Sequence, residues 1–435
     1  MVSVTGMGVQ CAVAHGVQEF DEALRDGRAG ITFEDPAPGL PKVLGLRGRL
    51  PRSPEQVLAE QYAAGRLPGT DEALLRTLRS LVRRASRSIG FSLLAAVEAW
   101  GEARLGAVTD RRRIALVIAG SNLSQQLSFS MAEKYRKDPA YVSARYAHQF
   151  WDSDLLGVVS EGLDVRGEGM TVSGASAAGN LGLIQGMRLI RSGCADVCLV
   201  VAGMQELSDV ELMAFVNLGA LGGEGTNADP ARCSRPFDAG HDGFVYGEGA
   251  AALVLESTTV AQERGATTLA VLDDGVSALD GNRLTQPSQE GEEFVMGEVL
   301  RRCGVDAGRL DLISAHATST PLGDETEAAA ISSLLGERAG RPWVNATKSL
   351  VGHCLGPASA IEAIACVLQM RGGYVHPNVN LMEPITRELR LAPPRRTAAV
   401  IRRALNNAFG FGGINTALLL RSAQAAAHVP DTRKD

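Results

Sequence analysis

The chain lacks the features that would tie it to nucleic acid, to a membrane or to an oxidising compartment. It has no basic excess: 43 Lys and Arg stand against 49 Asp and Glu, a net charge of −6. Nucleic-acid binders usually carry the opposite balance to meet phosphate. Cysteine is sparse, at seven in 435 residues, and the thiols at 11, 194, 198, 233, 303, 354 and 366 are irregularly spaced. Only Cys194 and Cys198 are close, with no second pair and no histidine cluster. That argues against a metal site and against a disulfide framework. No run of 18 apolar residues occurs, and the start MVSVTGMGVQ has neither a basic segment nor a long apolar one. A soluble, cytoplasmic protein without signal peptide or membrane span is expected.

What the chain does have is a 45% hydrophobic content, 21% charge and 49 glycines that punctuate short apolar runs. Ile114–Ala119, Val197–Ala202, Ala250–Leu255, Leu312–Ala315 and Thr416–Leu420 read as buried strands. Between them lie helical patterns. In Ala177–Arg191, Leu183, Met187 and Ile190 share one face and Gly193 suits a C-cap; Ala358–Met370 repeats the pattern. Alternation of this kind predicts an α/β protein with covered sheets. Segment 34–75 is rich in Pro, Arg and Gly and shows no clear period. Segment 125–165 carries Tyr135, Tyr141, Tyr146, Phe150 and Trp151 and reads as a cap or an oligomer contact. A midpoint falls at 256–268, and residues 424–435 are expected to form a disordered tail.

Five segments could carry chemistry. TVSGASAAGN (171–180) sets Ser176 between an apparent strand and a helix, where backbone N–H groups favour negative charge. Taken alone, it reads first as a packed turn of small residues. It also misses the G-x-S-x-G elbow of α/β-hydrolases, because Ala178 stands at the last position. SAHATSTPLGDETEA (314–328) puts His316 at the mouth of a strand, followed by Thr318 and Thr320. NATKSLVGHCLGPASAIEA (345–363) groups Lys348, His353 and Glu362 around a glycine-punctuated loop. NNAFGFGGINTALLL (406–420) is a glycine-rich turn entering a strand; it is not a G-x-G-x-x-G, so a dinucleotide site is rejected. SRPFDAGHDGFVYGEGAAALVLE (234–256) reads as structural, His241 included.

Together, and in this order, these segments resemble the β-ketoacyl synthases of fatty-acid and polyketide assembly, from VTGMGV at 4–9 to FGFGGINTALLL. The resemblance implies a thiolase-like fold: two duplicated βαβαβ halves in a five-layer αβαβα arrangement, usually dimeric. The halves would be 1–257, carrying Ser176, and 258–423, carrying His316, Lys348 and His353. It further implies that His316 and His353 are the catalytic histidines, with Lys348 and Glu362 supporting them. Thr318 and Thr320 would contact the phosphopantetheine arm of an acyl carrier protein, and Phe411 with Gly412 would gate and line the acyl pocket. No cofactor of the enzyme's own is implied, since the carrier supplies the arm.

One position departs from the pattern: Ser176 stands where the family has its nucleophilic cysteine. A thiol near pKa 8.5 is readily made a thiolate at a helix N-terminus. A serine hydroxyl needs a dedicated base. Acyl loading and condensation should fail, while decarboxylation, which needs only stabilisation of an enolate oxygen, should survive. The chain is thus similar to the Cys-to-Ser ketosynthases of polyketide β-branching cassettes, which act beside a hydroxymethylglutaryl-synthase-like enzyme. Malonyl-carrier-protein decarboxylation is the expected activity. The alternatives are a non-condensing partner like the chain-length factors, and an acyltransferase acting through Ser176.

Overall fold

The computed structural model describes residues 1–108, 110–223, 229–283 and 285–426. Its N-terminal part contains strands β1 (Val2–Cys11), β2 (Ile114–Ala119), β3 (Gly169–Val172), β4 (Val197–Ala202) and β5 (Gly249–Ser257), with helices α1 (Arg87–Glu102) and α2 (Ala178–Arg191). Its C-terminal part contains β6 (Ala270–Leu279), β7 (Leu312–Ser314), β8 (Trp343–Asn345), β9 (Arg403–Gly410) and β10 (Ile414–Ser422), with α3 (Gln289–Cys303), α4 (Pro321–Leu335) and α5 (Ala358–Gly372).

The two parts repeat one topology. The first set of strands is ordered β3-β2-β4-β5-β1 and the second β8-β7-β9-β10-β6. In each, the first three strands are parallel and the remaining pairs antiparallel. A short antiparallel contact between Val2–Val4 and Ala270–Leu272 joins them edge to edge. Strands β2 and β4 are buried along their whole length, which is why they read as unbroken apolar runs instead of alternating ones.

The helices complete five layers. Helix α1 covers β1 and β5 from outside; α3 packs on β6 and β10 from the other outside, with α4 beside it. Helices α2 and α5 cross between the sheets, touching strands of both. Every residue of α5 from Ala358 to Met370 is buried, as a helix with a sheet on either side must be. The α2–α5 crossing is tight: a Cβ on Gly179 would stand 2.6 Å from the Ala360 nitrogen. The arrangement is the five-layered, duplicated α/β architecture that the sequence resemblance implies.

One segment holds structure that its lack of a clear period hides, and one expectation needs correction. Segment 34–75 is not without order: it contains the helix Pro54–Ala63, entered through a Ser53/Gln56 capping box, and the start of a helix at Glu72 capped by Asp71. These signals are one turn long, so they leave no period to read across the segment. The disordered tail does not begin at 424, because Ala423–Ala426 form a helical turn; 427–435 lie outside the described residues. Within 125–165, Tyr135, Tyr141, Phe150 and Trp151 are exposed. Among the described residues, no helix is long and apolar enough to cross a membrane.

Candidate active site

The duplication decides where the side chains meet. Ser176 follows β3 and precedes α2; the segment Lys348–His353 follows β8 and precedes α5, the equivalent place in the second half. His316 leaves the end of β7. Because α2 and α5 cross face to face, these three strand ends open into one cavity of about 670 Å³. Ser176, His316, His353, Thr318, Thr320 and Phe411 all line it.

Ser176 sits in a single tight turn, Ala175–Ala177, ahead of α2. Ala175 adopts φ 46°, a left-handed conformation that costs a non-glycine residue strain and is held by its surroundings. One clamp is Gly410 at the end of β9, where a Cβ would lie 2.7 Å from the Gly174 oxygen and 3.3 Å from the Ser176 nitrogen. The serine Oγ is 2.9 Å from Nε2 of His353.

The direction of that bond follows from the other side of the ring. His353 Nδ1 accepts the backbone N–H of Leu355 at 3.3 Å, so it holds no proton and Nε2–H is the donor. His316 is set in the same tautomer by different means: the Lys348 ammonium lies 3.4 Å from its Nδ1 and donates to its carbonyl oxygen at 2.5 Å. Both imidazoles are held well below the ordinary histidine range. Burial is the main cause for each, reinforced by the Lys348 charge and, for His316, by His353. The rings meet edge to face with centroids 5.5 Å apart. The site therefore contains two neutral imidazoles, each with its N–H at Nε2, that of His353 directed at the Ser176 hydroxyl.

Lys348 and Glu362 do not line the cavity; they lie behind it, 1% and 2% exposed at the side chain, paired at 2.5 Å. Burial raises the Glu362 carboxyl to about 7 against the pull of Lys348. Thr318 and Thr320 share a hydrogen bond at 2.9 Å. Their loop is fixed by the buried Asp324, which accepts the Ser319 N–H at 3.0 Å, the Phe237 N–H at 2.8 Å and the His241 ring at 3.2 Å. His241 thus has the structural place its sequence suggested. Gly412 is not among the residues that line the cavity; it supplies a φ of 89° to the turn that carries Phe411. Phe411 itself is 43% exposed at the cavity rim.

Some parts of the site were not singled out in the sequence. Glu327 accepts the backbone N–H groups of His316 and Ala317 at 2.9 and 2.7 Å and so fixes the turn at the end of β7. The ETE of 325–327 was its only trace. Phe409 and Phe244 pack edge to face on His316 and His353, at 5.7 and 5.4 Å. Gln205 spans from the Ser121 oxygen to the Gly356 N–H, both at 2.6 Å, beside the serine turn. The Leu355 N–H is a backbone group and leaves no mark in a sequence.

Comparison with known proteins shows the family. Residues 1–261 match the β-ketoacyl synthase N-terminal domain and residues 269–382 the β-ketoacyl synthase C-terminal domain. The chain is 34% identical to the polyketide biosynthesis malonyl-ACP decarboxylase PksF of Bacillus subtilis (strain 168), over 97% of both chains. It is 31% identical to 3-oxoacyl-[acyl-carrier-protein] synthase 2 of Coxiella burnetii, over 96% of this chain and 98% of the relative. Among solved structures, it is similar to a β-ketoacyl synthase from Burkholderia phymatum, with TM-score 0.83 and 28% identity over 97% of this chain and 99% of that one. It is also similar to a type II polyketide ketosynthase solved with its acyl carrier protein, at TM-score 0.83 and 26% identity, over 97% and 99%. The chain belongs to the β-ketoacyl synthase family.

Proposed function

We propose that this protein decarboxylates malonyl thioesters on an acyl carrier protein, releasing CO2 and leaving the acetyl thioester. The observation that carries this reading is the tautomeric state of the two histidines. Each has its Nδ1 occupied by a donor, Leu355 N–H or Lys348, so each can only donate at Nε2. A pair of neutral N–H donors in a half-dry cavity is suited to an oxyanion and unsuited to deprotonating a serine. The name of the Bacillus subtilis relative supports the same reading.

In this scheme the thioester oxygen lies against Nε2–H of His316 and His353. The bond between the α-carbon and the carboxylate breaks, and its electron pair becomes the enolate, with charge on the oxygen. CO2 departs, and the α-carbon takes a proton from water. No electrophilic acyl group waits on the enzyme, so no carbon–carbon bond forms. The phenylalanine rings edging both imidazoles limit water around them and strengthen the donor–oxyanion interaction. Ser176 stays unmodified. A transferase role for it lacks support: among the described residues no carboxylate bonds His353, and the Leu355 N–H occupies the nitrogen that one would need.

The phosphopantetheine arm of the carrier enters past Thr318, Thr320 and Phe411. The enzyme works as a homodimer, and a hydroxymethylglutaryl-synthase-like enzyme is the consumer of the acetyl product. The experiment is the mass of the carrier protein after mixing malonyl-carrier protein with enzyme. An enzyme-dependent loss of one CO2 supports the proposal. An unchanged carrier with an acylated Ser176, or with neither, overturns it.

A further inference from the structure

Glu292, in the first turn of α3, is anomalous in the cavity wall. It is 1% exposed, and its Oε2 is buried without a hydrogen-bond partner. The charged groups that act on it are both carboxyls, Glu327 and Asp280. Each of those has donors of its own: Glu327 holds the His316 and Ala317 N–H groups, and Asp280 takes the Asn415 amide at 2.6 Å. Burial first, and then the two neighbours, push the Glu292 carboxyl well above its usual range. A buried polar atom left unpaired is costly, and native proteins rarely keep one without a use.

The side chain nevertheless lines the cavity that holds Thr318 and Thr320. Polar groups line the same cavity: Asp280, which acts on Glu292, Asn415, which bonds Asp280, and also Thr285 and Gln286. That wall suits amide groups better than an alkyl chain. A site built to hydrogen-bond a ligand shows this signature when the ligand is away, a fixed polar atom with no partner. The start of α3 is pressed against the 280 loop: a Cβ on Gly291 would fall 1.9 Å from Asp280 Oδ1.

We propose that Glu292 recognises the pantetheine arm of the substrate, its Oε2 accepting a hydrogen bond from an amide N–H of the arm. This rests on the reading above that the substrate is a carrier-bound thioester. Glu292 is a binding residue in this assignment and takes no part in breaking the carbon–carbon bond.

The test compares wild type with Glu292→Leu and Glu292→Gln. Pantetheine is titrated into each protein by calorimetry, and CO2 release is followed with malonyl-pantetheine and with the amide-free malonyl thioester of ethanethiol. Glu292→Leu weakens pantetheine binding and raises KM for malonyl-pantetheine about tenfold, the factor that corresponds to about 1.4 kcal/mol. Glu292→Gln, which keeps an acceptor oxygen, restores most of both. The amide-free thioester shows no such ratio. Glu292→Leu also melts at a higher temperature than wild type, since an unpartnered buried carboxyl is gone, so weak binding is not a folding defect. Equal pantetheine affinity in wild type and Glu292→Leu overturns the assignment, as does an equal loss with the amide-free thioester. Binding loss in a protein that releases no CO2 would sink the decarboxylase reading and leave the Glu292 assignment standing.

Discussion

The Ser176 hydroxyl accepts a hydrogen bond from His353 Nε2 at 2.9 Å, while the far nitrogen of the same ring is occupied by the Leu355 N–H. The two residues have the spacing of a nucleophile and its base but the opposite proton direction. In a serine hydrolase the imidazole takes the hydroxyl proton. Here it cannot, because the nitrogen that faces the serine already carries one.

Ser176→Ala should therefore keep CO2 release within about tenfold of wild type, the scale of one lost neutral hydrogen bond. Carrier-protein mass spectrometry measures it. Loss of all turnover in Ser176→Ala would show that the serine is covalently engaged.

His316→Ala and His353→Ala each remove one donor from the enolate oxygen. Each should lower kcat by about 10²–10³-fold, the usual effect of losing one oxyanion donor. Substrate binding, followed separately by calorimetry, should change much less. If either variant decarboxylated at the wild-type rate, the two-donor scheme would be wrong.

Lys348→Met should be more harmful to stability than any surface change. It leaves Glu362 buried without its cation, which typically costs about 3–5 kcal/mol. It also releases the donor that fixes the tautomer of His316. The double variant Lys348→Met/Glu362→Leu should recover much of the melting temperature without recovering activity. Recovery of both would mean that Lys348 only balances charge.

The pH profile should lack an ordinary imidazole break near 6.5. Both histidines are held well below that value in the folded protein, so both stay neutral as pH falls through 6.5. In the unfolded chain they would protonate near 6.5. Between that value and the lower folded values the unfolded state binds more protons, so the histidines' contribution to stability is full above 6.5 and falls as pH drops below it. Melting temperatures measured from pH 8 to 5, in wild type and in His353→Gln, check the sign; a His353→Gln protein that loses stability as steeply as wild type would count against it.

Gly410→Ala tests the clamp on the serine turn. The added methyl would meet the Gly174 oxygen at 2.7 Å and must displace the turn that holds Ser176. Activity should fall with little change in pantetheine binding, read by the same two assays. A fully active Gly410→Ala enzyme would show that the turn is not held from that side.

Much of this protein was determined by local sequence. The strands β2 and β4 were legible end to end, because a strand buried on both faces is an unbroken apolar run of the right length. The helix α2 and its glycine stop were legible from periodicity and composition. Ser176, His316, Lys348, His353 and Glu362 were legible as residues because each sits in a specific motif. Their chemistry was not. That His353 donates instead of accepting depends on a backbone N–H of Leu355, which any residue but proline would supply. That Glu292 lacks a partner depends on what Asp280 and Glu327 already hold. That Gly412 serves the turn, not the cavity wall, depends on which way the β9–β10 hairpin faces. Sequence specifies which groups exist and what local structure they favour. Proton direction, pairing and exposure arise from the path of the backbone in space: within one loop for Leu355 N–H and His353, and across the halves for Ser176 and His353, where the crossing of α2 and α5 brings the two together.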